Sequence, residues 1–169
     1  AALIDPWIRD PNTTYVLLSI IASAGATASL FLLASRMYGP WIGLSSATIL
    51  AVTVGFWGYG EVAYPYTFLP VLGTLVAWIC YLLWQGHRSL AVLSGLLLGI
   101  AGGFRQDLLV FLSPLWFVGV WRAGAVRLLL STLVLGLAVS SWLLATVQLS
   151  GGWEAFQKAS SAQSSHILY

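Results

Sequence analysis

Charged residues are scarce in this sequence of 169 residues, in which Asp, Glu, Lys and Arg together make up only 7%. Soluble domains carry about 25% charged residues, because a folded chain in water must cover its surface with polar groups. Hydrophobic residues reach 59% here, and the mean hydropathy is +0.90. The composition therefore excludes an ordinary soluble domain and predicts an integral membrane protein whose partner is the lipid bilayer.

Cysteine, net charge and common catalytic motifs are also low or missing. Cys80 is the single cysteine, which excludes a disulfide within the chain and a zinc site built from cysteines. A net charge of +2 is too small and too scattered to indicate a nucleic-acid partner. The sequence begins at Ala1 with no signal-peptide pattern and ends at Tyr169 with no obvious closing element, so we expect an internal fragment of a longer protein.

Apolar stretches along the chain predict an all-α fold, a polytopic bundle of about six spanning helices in a single transmembrane domain. A spanning helix needs about 20 apolar residues. Gly39 suits the position after the first helix, and Pro40 suits the first residue of the second. The predicted spans are 14–34, 41–57, 66–84, 90–104, 108–121 and 126–149, followed by an external interfacial tail over 150–169.

The stretch from Ser89 to Trp121 is compatible with one long helix or with a hairpin of two short helices. A single helix would be about 50 Å long, well over the hydrocarbon thickness of about 30 Å. Lys and Arg favour cytoplasmic loops. Only the hairpin puts the turns with Arg36, Arg88 and Arg122 on one side, so we predict the hairpin, with that side cytoplasmic.

All the acidic residues of the chain then fall on the opposite, non-cytoplasmic side. They are Asp5, Asp10, Glu61, Asp107 and Glu154. Ionisable residues near membrane depth are costly and are candidates for function. Small residues from Gly95 to Gly103 recur at four-residue spacing, which is typical of close helix packing and not of a site.

The first candidate site is Glu61, flanked by Tyr59, Gly60 and Tyr64 at the entry to the third span. Irregular backbone at membrane depth is tolerated only against protein or a water-filled cavity. Glu61 could bind a substrate hydroxyl, act as a base or hold a divalent ion. The alternative is an interfacial carboxylate beside tyrosines of the aromatic belt.

The second candidate is Arg105-Gln106-Asp107 at the tip of the predicted hairpin. Short helices on both sides predict a tip below the membrane surface. The planar guanidinium of Arg105 matches phosphate oxygens. The alternatives are a structural pair of Arg105 with Asp107 or Glu61, and a role for Asp107 at the positive end of the fifth span.

Three segments together resemble the GT-C superfamily of membrane glycosyltransferases. They are Arg36-Met37-Tyr38-Gly39, the stretch from Phe56-Trp57 through Glu61-Val62-Ala63, and Gly95 to Arg105. The resemblance is strongest to the bacterial branch of protein mannosyltransferase-like and aminoarabinose transferase-like enzymes. It covers nearly the whole chain.

The resemblance implies an enzyme that transfers a sugar from a polyprenyl-phosphate carrier to a glycan, lipid or protein acceptor outside a bacterial plasma membrane. Arg105 matches the basic residue that contacts the lipid phosphate, and Glu61 is the nearest match to an acidic site residue. The family's main catalytic acid lies in a first external loop that this fragment does not include, so we expect it to be inactive alone. The alternatives are a segment of a transporter or lipid flippase, and a purely structural membrane subunit.

Overall fold

The computed structural model describes residues 11–56, 68–158 and 161, and over this part of the chain the fold is all-α, as predicted. A 3-10 turn, Arg88–Leu90, precedes the fourth helix, and residues 153–158 form a short helix near the end. The main helices are α1 Pro11–Tyr38, α2 Pro40–Val52, α3 Phe68–Trp84, α4 Ala91–Phe104, α5 Gln106–Trp121 and α6 Ala125–Leu149.

Two helices differ most from the predicted spans. Helix α1 has 28 residues and extends beyond 14–34 at both ends. Helix α2 ends at Val52, because Thr53 is extended with φ −67° and ψ 118°. Helical backbone resumes over residues 54–56, so the predicted span is interrupted at Thr53. Val52, Thr53 and Val54 are consecutive β-branched residues, which lose side-chain freedom in a helix, and this run coincides with the break.

Glycines with positive φ follow several of the helices, including α1 and α3. Gly39, with φ +102°, separates α1 from Pro40 at the start of α2, as predicted. After α3, the Gly86 N–H donates to Leu83 O and the His87 N–H donates to Leu82 O, each at 3.0 Å. These two hydrogen bonds, with glycine in the left-handed region, end the helix, and the chain reverses direction within a few residues.

Contacts between the helices fix their directions. Gly25 lies against Val71, and the Tyr81 hydroxyl donates to Arg36 O at 3.1 Å, so α1 and α3 run parallel. A Cβ at Gly119 would lie 3.4 Å from Cys80 O, which sets the last turns of α5 and α3 side by side. Helices α1, α3 and α5 therefore run one way, and α2, α4 and α6 run the other way.

Helices α4 and α6 pack closely through small residues. The backbone at Gly95 lies against Ser131, and that at Gly99 against Ala138, so close that a Cβ on either glycine would overlap its neighbour. Ser131 Oγ donates to Ala91 O at 2.7 Å across the same interface. The predicted packing role of the glycine run is confirmed, because glycine allows helix backbones to approach.

Half of the buried apolar positions are alanines, although the core also contains Leu83 and Leu98, and many large apolar side chains are exposed. The buried positions include Ala26, Ala91 and Ser94, whereas Ile21 and Phe111 are 66% and 76% exposed. Such a surface would be unfavourable in water, and large contiguous apolar patches are rare on soluble monomers. Small residues inside and large apolar residues outside are typical of helices that pack in lipid.

Two of the described helices are long and apolar enough to cross a membrane, Thr13–Tyr38 and Ala125–Leu149. The other four apolar helices have 10–17 residues. In α5, Pro114 cannot donate a bond to the carbonyl of Val110, but Ser113 Oγ donates to that oxygen at 3.2 Å. A hydroxyl that satisfies a freed carbonyl is how lipid-facing helices tolerate proline. These features support membrane association.

Candidate functional site

The two ends of the bundle carry different charges. One end, here called the basic end, comprises the turns between α1 and α2, α3 and α4, and α5 and α6. The described charged residues of these turns are all cations: Arg36, Arg88, Arg122 and Arg127. The opposite end contains the break between α4 and α5 and the start of α3, and it is here called the recessed end.

The recessed end is built around a helix break at one residue. Arg105 is extended, with φ −150° and ψ 123°, so that α4 stops at Phe104 and α5 starts at Gln106. This break falls between the predicted spans 90–104 and 108–121, as expected. Phe104 stacks on Phe68 of α3 with ring centroids 5.4 Å apart, which fixes the tip against the start of the third helix.

The Arg105 guanidinium forms a bidentate ion pair with Asp107. Nε donates to Oδ1 at 3.0 Å, and Nη2 donates to Oδ2 at 2.7 Å. The two side chains are 48% and 42% exposed. The structure thus contains the predicted structural alternative for Arg105, and the pair orients the guanidinium at the mouth of the recess. Gln106 lies between them and is exposed.

Helices α1 and α6 extend beyond the tip that carries Arg105. Gly103 lies at the level of Trp142, with its Cβ position 3.1 Å from the indole, and α6 continues seven residues further to Leu149. That is about 10 Å at 1.5 Å per residue. On the other side, α1 begins fourteen residues before Gly25, which lies against Val71 of α3, and these fourteen residues span about 21 Å.

A groove between α4 and α6 opens beside this tip. Its volume is about 420 Å³, and its walls are mostly apolar, with Ile100 and Phe104 on one side and Ala138 and Trp142 on the other. The Trp142 indole N–H donates to Gly99 O at 3.1 Å, which holds the ring across the groove. The groove therefore reaches Phe104, the residue that directly precedes Arg105.

The predicted residues divide into two groups. Arg105, Gln106 and Asp107 come together at one tip, as their positions in sequence required. Glu61, Tyr59 and Tyr64, like Asp5 and Asp10, lie outside the described residues. Among the described residues, no three His, Cys, Asp or Glu side chains could together hold a metal ion.

Phe68 and Trp142 were not predicted as neighbours of the tip. Both are aromatic residues within apolar runs, and the run around each looks like ordinary membrane-facing sequence. The register of α4 on α6 brings Trp142 to Gly103, and antiparallel packing brings Phe68 to Phe104. One cue was the spacing of Gly95, Gly99 and Gly103, which predicts a close neighbour without saying which helix it is.

Comparisons with known proteins give no match: no family model, no curated protein and no solved structure is significantly similar to this chain.

Proposed function

We propose that this chain is part of a membrane glycosyltransferase that uses a sugar donor carried on polyprenyl phosphate. The observation that carries the proposal is Arg105, an oriented arginine at a helix break, recessed between two longer helices and beside an apolar groove. In the proposal, the guanidinium meets the phosphate on which negative charge develops as the sugar leaves. Preorganised charge of this kind is usually the largest contribution to catalysis.

The groove between α4 and α6 supports a lipid-linked substrate. An isoprenoid chain needs an apolar path from the bilayer, whereas its phosphate needs a cation at the end of that path. The groove offers two aromatic side chains to the isoprenoid chain: Phe104 of α4, which directly precedes Arg105, and Trp142 of α6. In this proposal the donor enters sideways from the membrane and does not come from water.

We further propose that all six helices cross the membrane and that the basic end is cytoplasmic. The positive-inside tendency of Lys and Arg supports this orientation, since four arginines lie in the turns at that end. The site then faces outside, as in a plasma-membrane enzyme. Helices shorter than about 20 residues fit if the bilayer thins locally or if flanking residues reach its surface.

A transporter or flippase segment is the alternative class. Ion and substrate paths through membranes are usually marked by ionisable residues in the bundle interior. Among the described residues, every Asp, Glu, Lys and Arg lies at a helix end or in a connection. This distribution favours chemistry at one face over passage through the bundle. Glu61 retains its proposed part as an orienting or metal-binding group, with Tyr59 and Tyr64 beside it.

The test measures binding of polyprenyl phosphate, with polyprenol as the comparison, to the protein in nanodiscs by native mass spectrometry. The wild type should retain the phosphate form in preference to the alcohol. Arg105→Ala should abolish that preference, and Arg105→Lys should restore it in part, because lysine keeps the charge but loses the planar fork. Arg88→Ala, which removes an exposed arginine at the opposite end, is the matched control.

Sugar transfer is then measured for the same variants in the full-length protein in membranes. Arg105→Ala should lower the rate by about 10²–10³-fold, as does loss of one preorganised donor elsewhere, while Arg88→Ala should leave it unchanged. Glu61→Gln should lower it as well. Equal retention of phosphate and alcohol by the wild type, or unchanged transfer by Arg105→Ala, would overturn the proposal.

A further inference from the structure

A second groove lies at the basic end, between α1, α3 and α5. Its volume is about 410 Å³, within the range of about 300–1,000 Å³ that small-molecule sites occupy. It extends along α3 from Trp84 to Ala77, a depth of about 10 Å. The walls are apolar and include Leu33, Met37, Ala77, Trp84, Leu115 and Val118.

This groove opens sideways, toward the surroundings of the bundle. Met37, Leu115 and Val118 border it, and each is between 44% and 48% exposed. Its floor is closed, because Cys80 and Gly119 pack there with the Gly119 Cβ position 3.4 Å from Cys80 O. A chain-like apolar ligand could therefore enter from the side and not from the interior.

Two arginines lie next to residues that line the groove. The Arg122 guanidinium lies 4.0 Å from the ring centroid of Trp84, which forms part of the wall. Arg36 precedes Met37, and its carbonyl accepts the Tyr81 hydroxyl, so the end of α1 is held against the same wall. Both arginines are exposed.

The cations at this end have no anionic partner within the described part of the chain. Among the described residues, neither Arg36 nor Arg122 forms an ion pair. The ion pair in this part of the chain joins Arg105 to Asp107 at the recessed end. Asp107 and Glu154 are the described carboxylates, and both lie away from the basic end. An apolar groove with two cations at its mouth is complementary to a ligand with an acyl chain and an anionic head.

We infer that the groove between α1, α3 and α5 binds one anionic phospholipid, with an acyl chain between Leu33, Ala77 and Val118 and its phosphate at Arg36 and Arg122. Basic pockets between membrane helices on the cytoplasmic side are typical sites for anionic headgroups. Trp84 orients Arg122 by a cation–π contact. This inference needs the basic end to lie at a membrane surface, but it does not depend on sugar transfer.

The test compares phosphatidylglycerol with phosphatidylcholine, each supplied to the purified full-length chain in detergent and followed by native mass spectrometry. The wild type should retain one phosphatidylglycerol at least tenfold better than phosphatidylcholine. Arg36→Gln and Arg122→Gln should each reduce that preference several-fold. Lys158→Gln, which removes one exposed cation outside the basic end, should leave it unchanged.

A second pair of variants tests the apolar part of the groove and does not rely on the arginines. Val118→Trp should fill the groove and lower retention of phosphatidylglycerol at least fivefold. Val110→Trp is the matched control on the same helix, because Val110 is 71% exposed and lies outside the groove. Equal retention of the two lipids by the wild type would overturn the inference, as would equal retention of phosphatidylglycerol by Val118→Trp and Val110→Trp.

Discussion

The two ends of this helical bundle differ in shape and in the way they treat charge. At the basic end, α1, α3 and α5 finish together, and the arginines of the turns are exposed and have no carboxylate partners among the described residues. At the recessed end, α1 and α6 continue past the tip, and Arg105 is held by Asp107. Under the proposals above, the first end meets a charged membrane surface, whereas the second presents an oriented cation to a ligand.

The largest expected effect is all-or-none and tests whether the two ends lie on opposite sides of a membrane. In a Cys80→Ala background, Gln106→Cys should react with a membrane-impermeant maleimide in intact cells. His87→Cys, in the turn after α3, should react only after the cells are opened. Both residues are exposed, so access to the reagent decides the result. Reaction of both variants from the same side would remove the proposed orientation.

The next effect concerns the wall that α6 forms beside the recess. Gly95→Leu should prevent α6 from packing on α4, because a Cβ at Gly95 already overlaps the Ser131 backbone. Overpacking typically costs about 1–3 kcal/mol, and backbone that cannot move raises the cost. We expect loss of the folded protein in an unfolding titration in mixed micelles. Gly136→Leu is the control, since nothing lies within 4 Å of that Cβ position, and an equal loss there would contradict the packing explanation.

A smaller effect is expected from the indole bond across the groove. Trp142→Phe retains an aromatic ring but removes the donor to Gly99 O. Hydrogen bonds between membrane helices contribute about 0.6 kcal/mol on average, so the free energy of unfolding should fall by about that amount. The same titration measures it, with Trp153→Phe as control, because Trp153 is 55% exposed and lies beyond α6. A fall in the free energy of unfolding above about 2 kcal/mol would contradict this, because one hydrogen bond between helices would not account for it.

The smallest effect on stability is expected at the ion pair itself. Asp107→Asn removes one charge of a pair that is nearly half exposed, and exposed pairs contribute about 0–1 kcal/mol. The free energy of unfolding should therefore change by less than about 1 kcal/mol, whereas the polyprenyl-phosphate preference should change measurably as Arg105 loses its orientation. Glu154→Gln, a described carboxylate away from the tip, is the control. A large loss of stability with unchanged lipid preference would make the pair structural.

Several elements could be predicted from sequence because their causes are local. Gly39 followed by Pro40 can end one helix and begin the next whatever surrounds them. The break near Arg105 followed from the length of an apolar stretch and the placement of arginines. The end of α2 at Val52 was not predicted, because apolar residues continue through Phe56 and mask the local effect of β-branched residues.

The candidate site was predicted only where its members are adjacent in sequence. Arg105 and Asp107 are two residues apart, so their proximity was assured once the chain turned there. The neighbours that give the tip its surroundings, Phe68 and Trp142, are each 37 residues from Arg105 along the chain, and no periodicity links them to it. The packing register of α4 against α3 and α6 determines which aromatic residues stand beside it.

The sequence by itself determined that this chain is helical and apolar, where most of its turns lie, and that four of its described cations gather at three of these turns. These properties follow from composition, glycine and proline chemistry, and charge, each of which acts over a few residues. Only the tertiary structure decided that Arg105 is paired with Asp107 in a recess and that two grooves open between helices. The recess and the grooves depend on the packing register between helices, which is set where small residues such as Gly25, Gly95 and Gly99 let a neighbouring helix approach. That register depends on both of the surfaces in contact.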